Sequence, residues 1–101
     1  MDMELGGNIT LSGFKDVDPA TMIVVKKIVG NYVKGFTKTS DKFQKLTVNL
    51  KKLHEREKSE IYELKATVVT DKDYHASIDD RNLLVAIDSV LKKIEKEMHL
   101  V

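Results

Sequence analysis

Few residues of this chain have types and spacing that could do chemistry. The three histidines, His54, His75 and His99, do not stand at metal-ligand spacing. The pair Asp79-Asp80 could ligate a hard cation. It also directly precedes an apolar helical pattern, where capping explains it more simply. Ser77 has no evident base or oxyanion donor with which to act as a nucleophile. Gly6-Gly7 is a lone pair rather than a phosphate-cradling loop. There is no cysteine, which excludes disulfides, thiolate catalysis and cysteine-based zinc sites. The expectation is therefore no catalytic residue, no metal site and no cofactor. The chemistry left to the sequence is electrostatic, through lysines that could meet phosphate groups.

The net charge of the 101 residues, +1, taken alone argues against a polyanion partner. Its distribution says otherwise. Residues 1–25 carry one basic residue against four acidic ones, residues 26–58 carry ten against three, and residues 59–101 carry six against nine. A central basic third lies between two acidic flanks. Such a block fits a polyanion-facing surface, but an ordinary solvated lysine-rich one is the commoner case. A hydrophobic content of 42% suffices for a compact core at this length and excludes a globally disordered chain.

The lysines need elements to position them. Residues 8–14 alternate Ile9 and Leu11 with Thr10 and Ser12, as a short half-buried strand does. Asp18 can cap a helix whose first position suits Pro19. Met22, Val25, Val29, Tyr32, Val33 and Phe36 then form an apolar stripe, with Lys26, Lys27 and Lys34 mainly off it; the helix is expected to end near Gly35. From Lys45 onward Leu46, Val48 and Leu50 alternate with Lys45, Thr47, Asn49 and Lys51, giving a strand with one wet, basic face. The charged segment 54–60 reads as a loop. A strand at 61–70 carries Tyr62, Leu64, Ala66 and Val68 on one face. A turn at 71–73 and a short strand at 74–78 follow, the latter with His75 and Ser77 outward. Asp80, or Asp79, is expected to cap the last helix, whose stripe is Leu84, Ile87, Leu91, Ile94 and Met98. Lys92, Lys93 and Lys96 load its last turns, where positive charge complements the helix dipole.

The order is β-α-β-β-β-α. Both helices and the sheet have one apolar face each, so the economical arrangement is a two-layer α+β sandwich, a four-stranded sheet with two helices on one face. One domain over residues 1–101 is expected, with residues 1–7 frayed.

At the residue level, Tyr74-His75-Ala76-Ser77-Ile78-Asp79-Asp80-Arg81-Asn82-Leu83-Leu84-Val85-Ala86-Ile87-Asp88 resembles a strand, polar turn and helix found in a known family. This family is the N-terminal domain of ribosome hibernation promoting factors, also called the sigma-modulation or ribosome-associated inhibitor family. Ser89-Val90-Leu91-Lys92-Lys93-Ile94-Glu95-Lys96 resembles the family's amphipathic basic helix, and Asn8-Ile9-Thr10-Leu11-Ser12-Gly13 its first strand. The resemblance implies a fold like that of double-stranded-RNA-binding domains and binding to the small ribosomal subunit through basic helix surfaces. It implies Lys26, Lys27, Lys34, Lys92, Lys93 and Lys96 as the RNA-facing set.

The expected function is thus non-enzymatic: ribosome association or binding of structured RNA by phosphate contact. The alternative is a protein interaction or self-association module that keeps the fold without ribosome binding, with a homodimer through the sheet face or edge. No membrane contact is expected. The acidic start Met1-Asp2-Met3-Glu4 lacks the apolar region of a signal peptide, so a cytoplasmic location is expected.

Overall fold

The structure is a computed structural model that describes residues 2–4, 8–54 and 60–100. Its elements run β1 (Asp2–Glu4), β2 (Ile9–Ser12), α1 (Pro19–Thr39), β3 (Lys45–His54), β4 (Glu60–Val69), β5 (Asp73–Asp80) and α2 (Leu83–Leu100). The expected order β-α-β-β-β-α is present from β2 onward. One strand is added: the backbone of Asp2–Glu4, within the segment expected to fray, pairs antiparallel with β2. The sheet thus has five strands in the order β1-β2-β3-β4-β5. β2 and β3 are parallel, joined through α1, and β3, β4 and β5 form an antiparallel meander.

Alternation builds the sheet. Leu46 and Val48 on β3 and Leu64, Ala66 and Val68 on β4 are fully buried, while Lys45, Asn49, Lys51 and Lys65 between them are exposed. The buried face lies under the two helices. Val25, Val29 and Phe36 of α1 and Ala86, Ile87, Val90, Leu91 and Ile94 of α2 complete one core with it. The expected stripe of α2 is therefore wider than read, because Leu83, Ala86 and Val90 join it while Leu84 is only half-buried.

Helix termini follow local hydrogen bonding. The Asp18 carboxylate accepts from the Thr21 backbone N–H at 3.1 Å and from its hydroxyl at 2.6 Å, and Pro19 opens α1 as expected. The Thr21 hydroxyl bond, chiefly, holds the Asp18 carboxyl below its ordinary value. That pairing stabilises the fold above the unfolded carboxylate range and is lost as pH falls through the lowered value. α1 does not stop at Gly35. It runs on to Thr39, and the Ser40 N–H donates to the Phe36 carbonyl. Buried Phe36 stacks toward Phe43 at 6.4 Å between ring centroids, which draws the last turn onto the core. The cap of α2 also differs from expectation. Asn82 Oδ1 accepts from the Leu84 and Val85 N–H groups at 3.0 and 3.2 Å. Asp80 instead accepts from the Asn82 N–H at 2.9 Å, shaping the turn that leads into the cap. His54 and Glu60, read as loop, pair as the last residue of β3 and the first of β4; the rest of that segment, 55–59, lies outside the described residues, as does Gly6-Gly7.

One glycine is obligatory for the topology. Gly13 has φ +84°, and a Cβ there would collide with the Leu50 carbonyl oxygen. The chain leaves β2 here, passing tightly over β3 on its way to α1. Gly13→Ala should therefore be strongly destabilising, with a lowered denaturant midpoint. Asn82→Ala should cost about 1 kcal/mol, as cap removal does, whereas Asp79→Ala should leave the midpoint nearly unchanged. Urea unfolding of the three variants checks this order.

Candidate nucleic-acid interface

The topology fixes where the six candidate lysines stand. β2, β3 and β5 point one way, so the helices that follow β2 and β5 both run the other way and lie parallel, side by side. All six lysines are exposed. Lys27 and Lys34 are two helical turns apart and share one solvent-facing row of α1, which Lys38 extends. Lys92 and Lys96, one turn apart, make a corresponding row on α2. The structure does not merge the six into one patch. Lys26 precedes Lys27 by about 100° of helical rotation. Lys93 reaches away from α1, and its Nζ donates to the Ser77 carbonyl on β5 at 3.3 Å.

Between the two rows runs a seam that sequence reading missed. The Tyr32 hydroxyl on α1 donates to Asp88 Oδ1 on α2 at 2.8 Å. Lys92 Nζ stands 3.9 Å from the other Asp88 oxygen. Glu95 lies over Gly35, where an added methyl would meet its Oε2 at 3.7 Å. The seam is thus acidic, and it flanks a phenol whose proton is held far above the ordinary tyrosine range. Desolvation is the main cause, followed by the hydrogen bond to Asp88 and the charges of Asp88 and Glu95. The signal available in the sequence was weak. Tyr32 sits on the apolar stripe, and only the pairing of helices shows that its hydroxyl lands on Asp88.

The opposite face of the sheet is open and polar. Strand register aligns Thr10, Thr47, Thr67 and His75 in one row and Ser12, Asn49, Lys65 and Ser77 in the next. His75 Nδ1 lies 3.2 Å from Thr67 Oγ1. None of the six aromatic residues stands on this face: Phe14 and Phe36 are buried, and Tyr32, Phe43, Tyr62 and Tyr74 pack against the core. Base stacking is not offered there, so contact with nucleic acid would run through phosphate and shape.

A cleft of about 580 Å³ opens where the helices begin, lined by Val17, Leu50, Lys52, Tyr62, Asp80 and Arg81 among others. Lys52 falls on the helix side of β3 rather than on its outer basic face. Among the described residues, no cluster of three or more acidic or histidine side chains is placed to hold a metal. Among them too, no helix is long and apolar enough to cross a membrane.

This arrangement of sheet and paired helices has solved counterparts. A ribosomal subunit interface protein from Coxiella burnetii superposes with a TM-score of 0.61 at 12% identity, over 92% of each chain. The Protein Y N-terminal domain of Thermus thermophilus superposes with a TM-score of 0.59 at 13% identity, over 95% of this chain and 96% of that one. The chain shares their fold. The likeness covers nearly the whole length and so matches, at the level of architecture, the resemblance seen in the sequence. No protein-family model and no curated protein matches the sequence.

The helix seam has a measurable signature. The Tyr32 phenol should ionise well above the usual tyrosine value of about 10. The stabilisation tied to that proton is fully present below pH 10 and is lost as pH rises through the folded value. Ultraviolet titration should show a late-ionising component that Tyr32→Phe removes. The same variant should lose about 1 kcal/mol of stability with its hydrogen bond.

Proposed function

We propose that this protein is a non-enzymatic, ribosome-associated RNA-binding protein of the hibernation-factor type, acting in the cytoplasm. In this reading the outer lysine rows of its helices neutralise RNA phosphates. The observation that carries the reading is the pair of exposed rows, Lys27–Lys34 on α1 and Lys92–Lys96 on α2, on parallel neighbouring helices. The shared fold supports it, since one structural neighbour is described as a ribosomal subunit interface protein. Lys26 and Lys93 stand at the flanks and contribute less, the latter because its ammonium is engaged by Ser77, and Lys92 exchanges its exposed ion pair with Asp88 for phosphate. The acidic seam of Asp88 and Glu95 keeps the two rows distinct, so they would straddle a phosphate ridge or engage two backbone segments.

Four phosphate contacts should make binding fall about a hundredfold between roughly 50 and 200 mM salt. Binding to purified small ribosomal subunits, and separately to structured RNA, is the test. Replacing Lys27, Lys34, Lys92 and Lys96 with Glu should abolish binding and leave the circular dichroism unchanged. Each single reversal should lower the salt slope by about one. Absence of binding at about 50 mM salt, or undiminished binding by the fourfold variant, overturns the reading.

A further inference from the structure

β5 is the last strand of the sheet. It pairs with β4 on one side, and no described strand lies on the other. The hairpin bond from the Thr70 N–H to the Lys72 carbonyl, at 2.8 Å, fixes which groups face outward. The residue pairs register as Val69 with Asp73, Val68 with Tyr74 and onward to Tyr62 with Asp80. Bonded pairs alternate along an antiparallel ladder. Even-numbered residues of β5 therefore bond to β4, and Asp73, His75, Ser77 and Asp79 turn their N–H and C=O groups to the free edge. The Lys93 contact on the Ser77 carbonyl agrees with this, since α2 reaches that carbonyl from outside the sheet.

The side chains along this edge are self-complementary in one register. Consider a second β5 laid antiparallel with Ser77 opposite Ser77. His75 then faces Asp79 of the second copy, the pair occurring twice by symmetry, and Arg81, just beyond the end of β5, comes near Asp73 of the second copy. On the helix side Tyr74 faces Asp80 and Ala76 faces Ile78. A slip one way sets Asp73 against Asp79, carboxylate on carboxylate. A slip the other way sets Ser77 against Asp79. The first is disfavoured because like charges directly opposite repel, and the second because it forfeits both His75–Asp79 pairs.

The helix layer also permits the join. α2 packs on β4 and β5. With strands about 4.8 Å apart, the α2 helices of two joined copies would stand about 10 Å from one another, the ordinary separation of packed helices.

We propose that the β5 edge is a self-association surface. Its occupant is β5 of a second copy, paired antiparallel about Ser77, so that the two sheets become continuous. Lys93 covers the edge in the free protein and is displaced on pairing. This inference does not rest on the RNA-binding reading, because it is argued from the backbone and side chains of the β5 edge alone.

Sedimentation velocity of the full chain over a hundredfold concentration range tests it. A monomer–dimer equilibrium is expected. Asp73→Arg and Arg81→Asp should each weaken the dimer about tenfold by bringing like charges together at the strand end. The double variant Asp73→Arg with Arg81→Asp should restore it. Ser77→Pro should abolish dimerisation and keep the monomer folded, since proline is tolerated where a strand's N–H faces outward. A protein that stays monomeric throughout overturns the proposal. So does a dimer indifferent to Ser77→Pro and to the charge exchange, because the second copy would then sit elsewhere.

Discussion

The whole arrangement depends on one constraint: the sheet has a single apolar face, and that face must be covered. Leu11, Leu46, Val48, Leu64 and Val68 line it with no exposed surface remaining. One helix cannot cover five strands, so both amphipathic helices are committed to the same side. Their apolar stripes face inward, and the helix lysines off those stripes are left exposed. The basic rows and the open polar sheet face are thus by-products of how the core is closed. The same constraint fixes chain direction. β2 and β3 are parallel and β5 returns in the same sense, so α1 and α2 must run together.

Much of this was legible in the sequence because it is periodic. Strict alternation at residues 45–51 and three- and four-residue steps at 84–98 state their faces directly. The Asp18-Pro19 start was legible for a different reason, in that both residues favour that place by local chemistry. The misreadings occurred where tertiary contact overrode local signal. Gly35 looked like a terminator, yet its neighbour Phe36 is buried and carries the helix another turn. Asp80, Asp79 and Asn82 can all cap, and only the packing of Leu83 into the core selects Asn82. The strand Asp2–Glu4 has too few residues to show any period.

The candidate site was legible in composition but not in arrangement. The sequence marks the lysines and their helices. It does not show that Asp88 and Glu95 lie between the two rows, because that depends on how Tyr32 crosses to α2. Nor does it show that Lys93 bends to the sheet edge rather than outward. The net charge of +1 therefore conceals two kinds of mixing, one along the chain and one across the helix seam.

The parallel setting of the helices has an electrical consequence. Two antiparallel helices cancel their macrodipoles, whereas these two add them. Both sets of unpaired carbonyls gather at one end of the molecule, where Lys38 and Lys96 lie in or near the last turns. Those ammonium groups are partly neutralised by the partial negative charge beneath them. Lys27, in the middle of α1, has no such counterweight. The positive potential of the helix layer is therefore weakened toward that end and does not simply follow the density of lysines.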